Sequence, residues 1–247
     1  MAIDLIKVGG AELRDGLPHV AQYLSQPHQT TQRIIVFGGG PQIDTAWEQK
    51  HPGQTTTKVE GTRVTDEDMM IDAVMPAFLN IRHQLRAEVQ GINLIHPDDV
   101  KCIPHPNEQL GRIGEVRYVK LPSDFNTVGI GFVGTDEKDI LRLYNLKGDS
   151  IVSSLVAQLN RSVGNVVLVT GPGGVRDNQH FLVPHLTRSD IRLILEGKHP
   201  TIPVSGGMVQ KLQETELMLE MVPRVWMVKA QQLLQPLENL GTLCTAA

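Results

Sequence analysis

The chain has 247 residues, of which 40% are hydrophobic and 20% are charged. That composition is typical of a globular protein and excludes an intrinsically disordered chain, and the length suits one large α/β domain. The net charge of −4 and an aromatic content of only 4% disfavour a general nucleic-acid-binding protein, which needs basic patches and stacking rings.

The sequence also indicates a reduced, cytoplasmic protein. It contains no apolar run of about 18 residues, and Asp4 stands where a signal peptide carries basic residues. Cys102 and Cys244 are far apart and lack the spacing of metal ligands or of a disulfide framework. The nine histidines form no H-E-x-x-H motif, so no protein-bound metal is expected. From the apolar runs, the charge and the aromatic content given above, neither a membrane nor a nucleic-acid partner is expected.

In the first half of the chain, strand-like runs alternate with helical patterns. A strand over 3–8 enters Gly9-Gly10 and precedes a helix over 12–25, whose leucines recur near a 3.6-residue period. A second apolar strand over 33–37 leads into Gly38-Gly39-Gly40-Pro41. The proline suits the first turn of a helix that starts there.

A long helix is predicted over 66–89. Acidic residues begin it, which favours a helix N-terminus, and an apolar face follows. That face contains Met69, Met70, Ala73, Val74 and Phe78. Part of the face must pack against the sheet, and the remainder is available for a two-fold interface, so a homodimer is expected.

The second half of the chain continues the alternation. Strands are predicted over 92–95, 127–132, 166–170 and 224–228, and helices over 148–160, 188–195 and 207–220. The pattern predicts a mostly parallel sheet with helices on both faces. Segments 101–104 and 115–121 predict a β-hairpin inserted over the edge of that sheet. Residues 126–143 are the candidate boundary between an N-terminal and a C-terminal lobe.

Two glycine-rich turns follow the first two predicted strands. Parallel sheets place ligands at the carboxyl ends of their strands, and Lys7 stands there just before Gly9 and Gly10. A lysine beside glycines, whose backbone N–H groups can approach an anion, suits phosphate. The turn over 38–40 favours a second anion site at a helix N-terminus. A surface lysine and a flexible turn are the simpler interpretations of these two features.

Further polar residues stand at junctions between elements. Arg63 lies between a strand and the long helix and can bind a carboxylate through two hydrogen bonds. Asn145 and Asp149 flank the start of a helix, a third glycine-rich loop over 170–175 follows a strand, and Lys211 lies early in a later helix. Taken singly, each has a simpler interpretation as a cap, a turn or a surface charge. Their order along the chain is more distinctive.

A G-x-G-x-x-G motif, common in dinucleotide-binding proteins, occurs over 129–134. It is embedded in apolar, strand-like sequence, and no helical pattern follows it at once, so an NAD-linked oxidoreductase remains only an alternative. The chain has neither a Walker A loop nor a G-x-S-x-G segment. These two absences argue against P-loop nucleotide binding and against the common hydrolase elbow.

In their order, the motifs resemble those of the amino-acid kinase superfamily and, within it, the N-acetylglutamate kinases. The matching residues run over most of the chain. They are 7–10, 38–43, 61–65, 110–116, Asn145 with Asp149, and 206–208 with Lys211. The Gly-Thr-Arg-Val-Thr segment over 61–65 is the more specific motif, whereas the lysines and glycines belong to the wider superfamily.

The resemblance implies a three-layer αβα sandwich with a mostly parallel open sheet, here carrying a β-hairpin insertion. It further implies an acceptor-binding and dimerisation lobe over 1–135 and an ATP-binding lobe over 136–247. The implied reaction is the ATP-dependent phosphorylation of the side-chain carboxylate of N-acetyl-L-glutamate, which gives an acyl phosphate in arginine biosynthesis. Mg²⁺ is expected to arrive with ATP, held mainly by phosphates and water.

The resemblance also assigns roles to single residues. Lys7 and Lys211 are expected to stabilise the transferring phosphoryl group, and Asp149 to orient both lysines. Gly39, Gly40, Arg63 and Asn145 are expected to bind the acceptor. The residues expected to bind phosphate or border the nucleotide are Gly9, Gly10, Gly171, Pro172, Gly173, Gly174, Val175, Arg176, Pro203, Val204 and Ser205.

Some positions depart from the family pattern. Phe37, Gly171 and Lys147-Gly148 stand where the family usually has His, Asp and Asn-Ala. Two alternatives therefore stay open beside the N-acetylglutamate kinase. One is a sister kinase acting on a related acyl amino acid, such as an aminoadipate derivative, and the other is a catalytically weak sensor subunit of the same fold. Retention of Lys7, Asp149 and Lys211 favours an enzyme.

Regulation is the last expectation from the resemblance. Arginine-inhibited members of the family form hexamers through an extra N-terminal helix before the first strand. Only Met1 and Ala2 precede the predicted first strand here, and one helical turn needs about 3.6 residues. The sequence therefore predicts a homodimer that arginine does not inhibit.

Overall fold

The computed structural model describes residues 2–26, 31–59, 61–203, 207–235 and 240–246. The strands are β1 (Ala2–Val8), β2 (Thr31–Phe37), β3 (Lys58–Val59), β4 (Thr62–Arg63), β5 (Asn93–Leu94), β6 (Val100–Pro104), β7 (Ile113–Val119), β8 (Thr127–Ile130), β9 (Val133–Asp136), β10 (Leu143–Leu146), β11 (Val163–Val169), β12 (His185–Thr187), β13 (Arg224–Val228) and β14 (Thr242–Thr245). The helices are α1 (Gly10–Ser25), α2 (Gly40–Lys50), α3 (Glu67–Met69), α4 (Met75–Glu88), α5 (Gly148–Leu159), α6 (Arg188–Leu195) and α7 (Gly207–Met218).

An eight-stranded sheet forms the middle layer, in the order β12-β14-β13-β11-β1-β2-β8-β5. β1 lies inside the sheet and pairs in parallel with both β11 and β2. From Leu5 to Val8 its side chains are buried on both faces, which explains the nearly continuous apolar runs of β1, β2 and β11. β14 runs antiparallel to β13, so the sheet is mostly but not wholly parallel.

Helices cover both faces of this sheet. Leu13 of α1, Ile43 of α2 and Phe78 of α4 pack into the core on one face. Ile151 of α5 and Leu212 of α7 belong to the core on the other face, together with residues of α6. The predicted three-layer αβα sandwich is thereby confirmed, and the sheet runs without a break from the N-terminal half of the chain into the C-terminal half.

The predicted long helix is a composite of α3, a π-helical turn (Met70–Val74) and α4. The Asp66 carboxylate accepts a hydrogen bond from the Met69 backbone N–H at 2.8 Å and so caps its start. Pro76 lacks the N–H that a regular α-helix needs at this position, and the π-helical turn lies immediately before it. The segment over 66–89 therefore does not form a single uninterrupted α-helix.

The apolar face named from the sequence is buried in the core. Met69, Met70 and Phe78 are at most 4% exposed. That face is consequently not available for an interface between subunits. The apolar residues that this composite helix does expose are Ile71 and Leu79, at 60% and 58%.

The predicted hairpin strands β6 and β7 do pair antiparallel. However, they do not lie over the edge of the large sheet, because with β9 and β10 they close a separate four-stranded barrel. The predicted strand over 127–132 ends at Ile130 as β8, which belongs to the sheet, and β9 follows it from Val133 and belongs to the barrel. Gly131 lies at this division, where a Cβ atom would overlap the ring of Phe78.

Both cysteines are free and buried. Burial raises the pKa of the Cys102 and Cys244 thiols to about 12, so both stay protonated at neutral pH. Within the described ranges, none of the helices combines the length and the apolar character that crossing a bilayer requires.

Candidate active site

Lys7, at the carboxyl end of β1, is buried beside an acidic partner. The residue is 7% exposed, and its Nζ lies 2.9 Å from Oδ1 of Asp149 in the first turn of α5. A Cβ atom added to Gly148 would lie 3.4 Å from Cε of Lys7, so the lysine side chain passes closely over the start of α5. A buried lysine is acceptable here because Asp149 offsets its charge.

The two glycine-rich turns pack directly against each other. The Gly38 N–H donates to the Val8 carbonyl at 3.0 Å, and Nε2 of Gln42 donates to the Gly10 carbonyl at 2.8 Å. A Cβ atom on Gly10 would lie 2.8 Å from the Gly40 nitrogen, which no side chain tolerates. Since α1 and α2 begin at Gly10 and Gly40, their free first-turn N–H groups meet at one place. This arrangement is suited to binding an anion.

A cavity of about 230 Å³ opens beside these turns. Its lining includes residues from both predicted lobes, so motifs far apart in sequence meet at one place. The lining residues are Gly38, Gly39, Gly40, Ile43, Gly61, Thr62, Arg63, Ile113, Phe132, Asn145, Leu146, Lys147, Gly148, Asp149 and Gln210. The structure therefore brings together Gly39, Gly40, Arg63 and Asn145, the four residues expected to bind the acceptor.

Arg63 is held in one orientation beside the start of α2. Its Nη2 donates to the Gly40 carbonyl at 3.0 Å and to Oδ1 of Asp44 at 2.5 Å. Nε of Arg63 is buried and has no hydrogen-bond partner among the residues that the structure describes. Asp44 was missed from the sequence, since an acid on an amphipathic helix gives no local sign of its partner. Part of the guanidinium thus remains for a ligand.

The Gly-Thr-Arg-Val-Thr segment is joined to the segment over 110–116. The Thr65 N–H donates to the Leu110 carbonyl at 3.0 Å, and the Arg112 N–H donates to the Thr65 carbonyl at 2.5 Å. Gly111 has a φ of +66°, and a Cβ atom there would overlap the Thr65 carbonyl. Nδ2 of Asn145 donates to Oγ1 of Thr65 at 3.2 Å, so the two motifs and Asn145 form one unit.

Lys211 lies on α7, next to Gln210, and is not itself among the cavity residues named above. It is half-buried, and no carboxylate lies within ion-pair distance of its Nζ in the described part of the chain. Among the described residues, Asp149 forms its ion pair with Lys7, so the orientation of Lys211 by Asp149 stays a prediction. Gln210, the residue before Lys211, lines the cavity and was not predicted.

The third glycine-rich loop is directed largely into the protein. Gly173 and Gly174 pack against Lys229 and Thr242, and Val175 is buried with its N–H donated to Oγ1 of Thr242 at 2.8 Å. The outer residues of the loop, Gly171, Pro172 and Arg176, are exposed. The nucleotide contacts predicted for this loop therefore stay predictions, with the exposed three the better placed.

One backbone N–H group that was predicted to bind phosphate already donates to a carboxylate. The Gly171 N–H donates to Oε1 of Glu12 at 2.8 Å, and the same carboxylate lies close to Gly9. Pro203 borders a separate cavity of about 290 Å³ with Asn178 and Val209. Val204 and Ser205 lie outside the described residues.

The departure at Phe37 has a packing explanation. Its ring lies 6.5 Å from that of Phe78 and 6.4 Å from that of Phe132, in stacked and edge-to-face arrangements. Gly39 accommodates the same cluster, because a Cβ atom there would overlap the Phe132 ring. Phe37 thus belongs to the core beneath the cavity rather than to its polar lining.

Solved structures place the chain in the amino-acid kinase fold. It covers 100% of its length and 62% of the other chain in an N-acetylglutamate synthase from Neisseria gonorrhoeae complexed with coenzyme A and L-arginine, with a TM-score of 0.81 and 17% identity. It aligns with carbamate kinase from Giardia lamblia bound to AMP-PNP over 100% and 99% of the two chains, with a TM-score of 0.69 and 13% identity. The fold is that of this class of proteins.

Curated relatives are named acetylglutamate kinase. One from Bacillus cereus (strain B4264) is 24% identical over 229 residues, which are 88% of this chain and 85% of the relative. One from Acinetobacter baumannii (strain AYE) is 30% identical over 206 residues, 72% of this chain and 64% of the relative, so the chain spans less than two thirds of that protein. No protein-family model matches the chain. The predicted resemblance to the acetylglutamate kinases is confirmed, and so is the prediction that the protein is a kinase.

Proposed function

We propose that the protein transfers the terminal phosphoryl group of ATP to the side-chain carboxylate of N-acetyl-L-glutamate, as a step of arginine biosynthesis. The observation that carries this proposal is the position of Lys7. It lies buried at the end of β1, and its Nζ pairs with Asp149, which lines a small cavity together with Arg63 and Asn145. The names of the curated relatives support the same reaction.

The chemistry suits these residues because the acceptor needs no general base. A side-chain carboxylate has a reference pKa of about 4.3 and is already ionised at neutral pH. One of its oxygens bonds to the terminal phosphorus while ADP leaves, and no proton is moved. The difficulty is the approach of an anion to a polyphosphate. Lys7, Lys211 and the N–H groups of the glycine turns reduce this repulsion and orient the reacting groups.

Asp149 is an organiser in this scheme. It holds Lys7 at 2.9 Å and so directs the lysine ammonium toward the start of α5, next to the cavity. Arg63 and Asn145 are proposed to bind the α-carboxylate end of the acceptor. The free side of the Arg63 guanidinium is suited to a planar carboxylate.

The residues present fit ATP in two places. The glycine turns offer free helix N-terminal N–H groups for phosphate, and the exposed part of loop 171–176 together with Pro203 is proposed to border the nucleoside. Mg²⁺ bound to ATP supplies charge neutralisation, with its ligands coming mainly from phosphates and water. The assignment of residues 1–135 to the acceptor and of 136–247 to ATP remains part of this proposal.

A coupled assay of ADP release over a small panel of acceptors tests the function. We expect turnover with N-acetyl-L-glutamate and little with free glutamate, which lacks the acyl group. Phosphorylation of an acylated aminoadipate with N-acetylglutamate inert at millimolar concentration would select the sister kinase instead. Binding of both substrates without turnover would select a sensor subunit.

We also propose a homodimer formed through the composite helix, with Ile71 and Leu79 in the interface. Replacing both by aspartate should weaken the dimer about 100-fold, because a carboxylate in an apolar contact loses its hydration. Light scattering across a dilution series measures this change. Leu217→Asp is the matched control, since Leu217 is equally exposed at 56% on another helix. A monomeric wild-type protein, or a double variant that still dimerises, would contradict this interface.

A further inference from the structure

A half-buried acid of α7, Glu214, lies beside the proposed phosphoryl-transfer centre and has no role in the scheme above. Glu214 follows Lys211 by three residues and Gln210 by four, so the three side chains share one face of the helix. Gln210 lines the acceptor cavity and donates from Nε2 to Oε1 of Glu214 at 3.5 Å. Oε2 of Glu214 is buried and has no hydrogen-bond partner among the described residues.

The charges around Glu214 come from three directions. Lys7 of β1 and Lys147, just before α5, attract its negative charge, while Asp149 of α5 repels it. Its own helix supplies Gln210 and Lys211. α6 also packs on α7, but its Arg188 and Arg192 pair with Glu216 and Glu220 rather than with Glu214.

An ionised Glu214 would carry a buried charge on an oxygen without a donor. That form is unfavourable, and burial with the nearby Asp149 raises the pKa of Glu214 to about 7. At lower pH the proton neutralises the acid, and Lys7 and Lys147 then outweigh Asp149. At higher pH Glu214 competes for the same lysines and adds a negative charge beside the anionic substrates.

We propose that Glu214 is a positioning residue of the phosphoryl-transfer centre, and that its protonated form is the one in which the lysines bind the anionic substrates tightly. The inference rests on the proposed kinase function, although not on the identity of the acceptor. Because unit charges a few ångströms apart in a partly buried site interact appreciably, the affinity for MgATP should fall about tenfold as Glu214 ionises.

The test compares MgATP binding by calorimetry, without acceptor, at pH 6, 7 and 8. Relative to Glu214→Gln, which is neutral at every pH, the wild-type Kd should rise about tenfold from pH 6 to pH 8. The comparison at each pH cancels the protonation of ATP itself. Glu216→Gln is the control and should follow the wild type, because Glu216 pairs with Arg192 of α6 on another side of the same helix.

Carboxyl NMR of the free protein provides the second measurement. A signal absent from Glu214→Gln should titrate near pH 7, a signature that a purely structural role would not produce. Titration near the ordinary value of glutamate, or an identical pH dependence of Kd in wild type and Glu214→Gln, would overturn the inference while leaving the kinase intact. Failure of the wild type to bind MgATP at any pH would contradict the proposed function, and this inference with it.

Discussion

Replacing Lys7 or Lys211 by alanine is expected to lower kcat about 10²–10³-fold, the effect of losing one preorganised electrostatic contact to the transferring group. The two variants should differ in stability. Lys211 has no ion pair in the described part of the chain, so its removal should leave folding nearly unchanged. Lys7→Ala leaves Asp149 without its partner in a partly buried position and should also lower the free energy of unfolding.

A double variant separates these two effects for Lys7. Lys7→Ala with Asp149→Asn removes both charges, which should restore much of the stability but none of the rate. Lys198→Ala serves as the control, because Lys198 pairs with Glu196 at the surface. Steady-state kinetics and urea unfolding provide the two measurements. Near-normal kcat in either single variant would remove that lysine from the proposed centre.

The Arg63→Lys variant is expected to raise the KM for the acceptor about 10–100-fold with a smaller change in kcat. Lysine keeps the charge but cannot reproduce the planar guanidinium, which already uses Nη2 for Gly40 and Asp44. The remaining donors, including the buried Nε, are those proposed to bind the acceptor carboxylate. A tenfold change in KM corresponds to about 1.4 kcal/mol of binding free energy.

Initial rates measured against both substrates test the role of Arg63. Arg14→Lys is the control, since Arg14 lies on the surface beside Asp15 and should change neither KM. An unchanged acceptor KM, or a defect confined to ATP, would place Arg63 outside the acceptor site. A parallel Asp44→Asn variant should show a smaller rise in acceptor KM, because Asp44 only holds Arg63 in place.

The sequence by itself determined the alternation of strands and helices, and with it the layers of the fold. The apolar runs of β1 and β2 and the glycines after them are local signals, since periodicity and backbone freedom act within a few residues. They were sufficient to put Lys7 at the carboxyl end of a central strand. The short strands β12 and β14 were not predicted, because each mixes polar and apolar residues and contains no apolar run.

Only the tertiary structure decided which distant groups meet. The barrel formed by β6, β7, β9 and β10 depends on strand pairing between segments far apart in sequence, so the predicted hairpin alone could not reveal it. The contacts of Arg63 with Asp44 and of Glu12 with Gly171, and the partial burial of Glu214 near Asp149, have the same origin. Hydrogen bonds and charge interactions depend on distance in space, which residue type and spacing do not specify until the chain has folded.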